Sequence, residues 1–156
     1  MEKICLNASL TLAFPYGFRQ PDETEMQQLR AIQQGPGVCL RDDERHIIAS
    51  LGFRHAGLLY KLLNGKDLIQ NAQSAIAGVM RPYGYRLMGY GSCLLGGKTA
   101  QYFQYDYTAK DIDMVGEYCA IREGKATYYL HFYVRKGFRE EGFRVWREIL
   151  AGAQWA

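Results

Sequence analysis

The sequence predicts an α+β fold, with a central antiparallel sheet of about six to seven strands flanked by helices, in a single domain covering residues 1–156. Three observations carry that expectation. Residues 85–134 read as four consecutive antiparallel strands joined by glycine-containing tight turns. Segments before and after that block carry apolar residues at helical spacing. Helical and strand segments are also segregated along the chain rather than alternating, which disfavours a doubly wound parallel sheet.

The chain opens with Ile4, Leu6, Ala8, Leu10 and Leu12 alternating with Cys5, Asn7, Ser9 and Thr11, the pattern of one half-buried strand. Phe14-Pro15-Tyr16-Gly17-Phe18 ends it, since proline lacks a ladder donor and glycine relaxes the backbone. Pro21 followed by Asp22, Glu23 and Glu25 marks a first helical turn, with acids at the positive end of the dipole. Met26 and Leu29, with Ile32 further along, face inward until Gly35-Pro36-Gly37 stops the helix. Residues 38–40 and 46–53 flank the polar turn 41–44 as a hairpin. Residues 56–63 and 67–80 read as helices parted by Asn64-Gly65, and Leu68, Ile69, Ala72, Ala75, Ile76 and Val79 form one apolar face. Residues 140–150 close the chain as a helix, with Phe143, Trp146, Ile149 and Leu150 on one side.

Within residues 85–134, Gly96-Gly97 supplies the positive φ angles of a two-residue turn. That turn sets Leu94 opposite Thr99, Ser92 opposite Gln101, Tyr90 opposite Phe103 and Met88 opposite Tyr105. A second turn at Glu123-Gly124 pairs Arg122 with Lys125, Cys119 with Tyr128 and Glu117 with Leu130. Val115, Cys119, Ile121, Tyr128, Leu130, Phe132 and Val134 then share an apolar face that lines the core. The opposite face carries Met114, Tyr118, Tyr129, His131 and Tyr133, whose apolar bodies and polar tips suit a wet surface or a contact surface.

Composition excludes several function classes. A hydrophobic fraction of 48% against 22% charged residues describes a globular chain. The net charge of +3 is mild, and lysines and arginines are interspersed with acids, which argues against nucleic-acid binding. Cysteines 5, 39, 93 and 119 form no CxxC pair, so a metal ribbon is not indicated, and those within strands read as small buried hydrophobes. His46 has no second histidine or carboxylate at metal-ligand spacing, and neither a metal nor a cofactor is implied. No apolar run is long enough for a signal or a span, so a cytoplasmic protein with reduced thiols is the expectation.

One run imitates a phosphate-binding loop. Counting back from Gly97-Lys98-Thr99 puts Ser92 where the motif needs glycine, and residues 99–108 alternate as a strand instead of opening a helix. The most unusual single residue is Glu117, which the register sets on the apolar face. A buried carboxylate has a raised pKa unless it is paired, so Glu117 is either a pocket residue, turned outward by a bulge, or satisfied by an arginine or tyrosine.

Several loose motifs together resemble the PsbP/Mog-like superfamily. They are the opening strand running into Phe-Pro-x-Gly-Phe, a hairpin with a long helix, Gly-Gly-Lys-x-Ala-x-Tyr at 96–102, the tyrosine-rich strand 128–134, and the closing Ile149-Leu150 pair. The similarity covers nearly the whole chain, and its motifs are core-and-turn signatures with no catalytic residue among them. It implies a central antiparallel sheet flanked by helices, serving as a binding module. Members include photosystem-II extrinsic subunits, a Ran-GTPase-binding transport factor, and bacterial accessory chaperones that shield apolar helices of secreted effectors. No targeting or partner-specific motif carries a site across to this chain.

Two functional readings follow. The first is a non-enzymatic adaptor or chaperone-like module, which engages a protein partner of unknown identity through the face bearing Tyr118, Tyr129, His131 and Tyr133. That face is otherwise covered by a helix or by the mate in a homodimer. The second is a small-molecule binder or enzyme, with a pocket between sheet and helices that includes Glu117 and His131.

Overall fold

The computed structural model describes residues 2–24, 37–55 and 65–156. Its opening differs from the single strand read from the alternation. Strands β1 (Glu2–Leu6) and β2 (Leu10–Phe14) form a hairpin in which Leu6 pairs with Leu10 and Ile4 with Leu12. The chain turns at Asn7 and Ala8, whose φ values are 45° and 62°, and the Ser9 N–H donates to the Leu6 carbonyl at 3.2 Å. Both arms keep their even-numbered residues on one side, so the period-two pattern runs through the turn without a break.

Strands β3 (Gly37–Asp42) and β4 (Ile47–His55) make the expected second hairpin. Buried Asp42 closes its turn by accepting the Glu44 and Arg45 backbone N–H groups at 3.1 and 3.2 Å and pairing with the Arg45 guanidinium. Helix α1 (Gly65–Met80) follows, then a short 3₁₀ turn at Arg81–Tyr83. The block of four strands is β5 (Arg86–Leu95), β6 (Lys98–Ala109), β7 (Ile112–Glu123) and β8 (Ala126–Arg135). Helix α2 (Arg139–Ala151) and the short strand β9 (Gln154–Trp155) finish the chain. Of the helix expected from Pro21 to the Gly35-Pro36-Gly37 stop, residues 25–36 lie outside the described residues, as does the whole helix expected over 56–63.

The main sheet has six strands in the order β3-β4-β8-β7-β6-β5, every neighbour antiparallel, and a smaller sheet is ordered β1-β2-β9. In the first hairpin of the block, Gly96 and Gly97 take φ values of 56° and 84°, and Tyr90 pairs with Phe103 as expected. A bulge between Leu87 and Gly89 then puts Leu87, not Met88, opposite Tyr105. The second hairpin turns one residue later than read from the sequence, at Gly124-Lys125, with Glu123 paired to Ala126. Glu117 therefore faces Phe132 rather than Leu130, and Cys119 faces Leu130. Each partner moves by two residues, an even shift, so every side chain keeps the face assigned to it.

Both faces of this sheet are covered. On one, Val115, Cys119, Ile121, Tyr128, Leu130, Phe132 and Val134 meet Leu10, Leu12 and Phe14 of the small sheet and Val145, Trp146, Ile149 and Leu150 of α2. On the other, Phe103, Tyr105, Tyr118, Ala120 and Tyr133 lie against Ile69, Ile76 and Met80 of α1. Gly116 sits directly opposite Tyr105, whose ring occupies the space a Cβ at 116 would need. Cys39 and Cys119 are buried, Cys93 is half-buried and Cys5 is exposed.

Candidate functional site

The tyrosine-bearing face is an interior surface, which corrects the expectation that Tyr118, His131 and Tyr133 point outward. All three are buried; only Tyr129 is half-buried, packed against the same cluster. The reason is the amphipathic stripe of α1, whose Ile69, Ile76 and Met80 must be removed from water and find the aromatic side of the sheet for the purpose. Beneath the helix, His131 Nε2 lies 2.6 Å from the Tyr105 hydroxyl and Nδ1 lies 2.8 Å from the Tyr133 hydroxyl. One ring nitrogen donates and the other accepts, as a neutral imidazole allows. Burial alone pushes the His131 pKa down to about 3, so the ring stays uncharged at neutral pH. Burial likewise holds the Tyr105 and Tyr133 hydroxyls well above the usual phenol range. Tyr118 stands edge-on to His131 at 5.1 Å between ring centroids and stacks on Phe103 at 5.6 Å.

Glu117 is fully buried on the opposite face and satisfied by α2. Its Oε2 accepts from the Arg147 guanidinium at 2.7 Å and from Trp146 Nε1 at 2.9 Å. Its Oε1 accepts from Arg147 as well and from Gln104 Nε2 at 3.0 Å. Four donors thus use the acceptor capacity of one carboxylate, the arginine-satisfied case among those the sequence left open. The guanidinium lies over the Tyr102 ring at 4.9 Å, which fixes its plane. Glu117 and His131 project from opposite sides of the sheet and do not share a pocket. Among the described residues, no group of three or more His, Cys, Asp or Glu side chains is arranged to hold a metal ion.

Unused binding capacity lies at the sheet margin. The backbone of β5 pairs with β6 on one side, and among the described residues nothing pairs with the other. At the opposite margin, the Arg19 and Arg41 backbones exchange two hydrogen bonds of 2.8 Å, so β3 is partly covered. β5 also presents large apolar side chains to water: Met88 is 53% exposed, Tyr90 51% and Leu94 58%, with Leu87 beside them. Its one charged residue, Arg86, is paired with Asp106 at 2.8 Å. Next to Tyr90 is an open hollow of about 560 Å³ lined by Lys66, Ile69, Gln70, Ser92, Gln101 and Tyr102. Sequence reading missed this strip. The signal available was a ten-residue strand with one charge and several large apolar residues, but that it is marginal is a matter of topology.

These layers define the class: the chain has a PsbP/Mog-like α+β fold, with one antiparallel sheet covered on both faces. It is similar to PsbP from Synechocystis sp. PCC 6803, with a TM-score of 0.71 and 10% identity over 99% of this chain and 92% of that one. It is also similar to the Ran-binding protein Mog1p of Saccharomyces cerevisiae, with a TM-score of 0.57 and 10% identity over 99% and 94% of the two chains. A third similar structure is LpqN of Mycobacterium tuberculosis, involved in cell envelope biogenesis, with a TM-score of 0.53 and 15% identity over 93% and 82%. No protein-family model matches the sequence, and none of the curated proteins does. No helix among the described residues is long and apolar enough to cross a membrane.

Proposed function

We propose that this chain is a non-enzymatic protein-binding module, an adaptor or chaperone-like protein, that takes an extended apolar segment of its partner along β5. The observation that carries this reading is that a strand margin on which no other strand pairs among the described residues carries exposed Met88, Tyr90 and Leu94 on the same ten residues. Natural sheets guard exposed margins with charge, proline or brevity, and β5 is long, proline-free and nearly uncharged. A partner strand would gain main-chain hydrogen bonds from the margin and side-chain pockets from the apolar residues and the hollow beside Tyr90. The similar yeast structure is a Ran-binding protein, which supports the protein-binding class without naming a partner here. The non-enzymatic part is supported by the two buried polar constellations, since Glu117 and His131 direct their hydrogen bonds to neighbouring side chains.

A photo-crosslinking residue placed at Tyr90, and separately at the remote exposed Tyr16, tests the site. Position 90 should trap one protein through an extended apolar segment. A synthetic peptide of that segment should then slow hydrogen exchange at the outward β5 amides. Identical products at both positions, or a trapped peptide that leaves β5 exchange unchanged, refutes the proposal.

A further inference from the structure

Cys93 on β5 and Cys119 on β7 bring their sulfur atoms to 3.8 Å across the intervening strand β6. Both face α2, and Cys119 is fully buried while Cys93 is half-buried. Adjacent strands lie about 4.8 Å apart, so backbones on either side of a third strand are separated by about 9.6 Å. A disulfide spans at most about 6.8 Å between Cα atoms. The two thiols are therefore in contact and yet unable to bridge while the sheet is intact. Either sulfur can donate across this contact, and the deeper Cys119 is assigned as the S–H donor because its contact with Cys93 and then its burial hold its thiol well above the ordinary range. That hydrogen bond brings the Cys93 thiol below its ordinary range; burial opposes the shift, the Arg147 charge assists it and the Glu117 charge opposes it.

We propose that Cys93 is a thiol modification site for low-molecular-weight disulfides, with Cys119 as the positioning residue that donates to its sulfur. In the reaction the Cys93 thiolate attacks one sulfur of the incoming disulfide. A new S–S bond to Cys93 forms, the original S–S bond breaks, and the departing sulfur leaves with the electron pair as a thiolate that takes a proton from solvent. Cys93 is oxidised and the departing sulfur is reduced. Resolution by Cys119, the usual next step for a neighbouring thiol, is blocked by the strand between them, so the product is a stable mixed disulfide. This inference does not depend on β5 docking a partner.

The test uses the full chain with its four thiols reduced, oxidised glutathione at pH 7, and peptide mass spectrometry over time. Cys93 should acquire glutathione faster than Cys5, although Cys5 is the more exposed. Each unit by which a thiol pKa falls toward ambient pH raises the thiolate share about tenfold and lowers its nucleophilicity about threefold, a net gain of about threefold. Cys119→Ala should therefore slow Cys93 by about threefold for each unit its pKa recovers. Cys119→Ser, which retains a donor, should restore the rate; Cys119→Val replaces the alanine variant if that one fails to fold. Modification of Cys5 ahead of Cys93, equal Cys93 rates in the alanine and serine variants, or an internal Cys93–Cys119 disulfide as the main product would overturn the assignment.

Discussion

Acid should weaken this fold through one residue, His131. In an unfolded chain its imidazole titrates near pH 6.5, whereas in the folded protein burial lowers the pKa to about 3. Between those values the unfolded chain binds the extra proton, so stability rises with pH across the window and is lost as pH falls through it. The difference of about 3.5 units, at about 1.36 kcal/mol each, sets a ceiling of about 5 kcal/mol, reached only below pH 3. From pH 7 to pH 5 the linked loss is about 2 kcal/mol, a large share of the 5–15 kcal/mol of a typical domain. His131→Gln removes the titration and keeps one donor and one acceptor for the Tyr105 and Tyr133 hydroxyls. Urea unfolding of both proteins at pH 7 and pH 5 is the assay. The native chain should lose about 2 kcal/mol more than the variant between the two pH values. Equal losses would mean that His131 is solvated or charged in the fold, and would remove the argument for a closed aromatic layer under α1.

Three further outcomes follow from the same packing. Arg147→Ala leaves the Glu117 carboxylate buried without its charge partner and should cost about 3–5 kcal/mol in chemical denaturation, with Glu117→Gln/Arg147→Ala recovering part of it. Gly116→Ala drives a methyl group into the Tyr105 ring and should lower stability by about 1–3 kcal/mol, measured by thermal melting. Leu94→Lys should leave stability within about 0.5 kcal/mol, because the side chain is exposed, yet abolish capture of the partner trapped at position 90. A loss of stability instead would show that Leu94 is packed.

The sequence by itself determined the β3–β4 hairpin, the block of four strands with the sides taken by the residues of β7 and β8, and the helices α1 and α2, but not the break of the opening strand into a hairpin, the bulge at Leu87 or the short β9. Alternation from 115 to 134 sorts Leu130 and Phe132 from His131 and Tyr133 whatever the exact turn, since the second hairpin turned one residue later and every face survived. Helical spacing marked α1 and α2 as amphipathic for the same local reason. Tertiary structure alone decided what covers each face. A tyrosine-rich strand face reads alike whether it meets water, a partner or a helix, and only the position of α1 made Tyr118, His131 and Tyr133 interior. Glu117 looked anomalous because its partner Arg147 is thirty residues away along the chain and meets it only when α2 docks. Strand order likewise left β5 at a margin and set Cys93 beside Cys119, since the pairing of distant segments depends on burial summed over the whole chain and not on any local pattern.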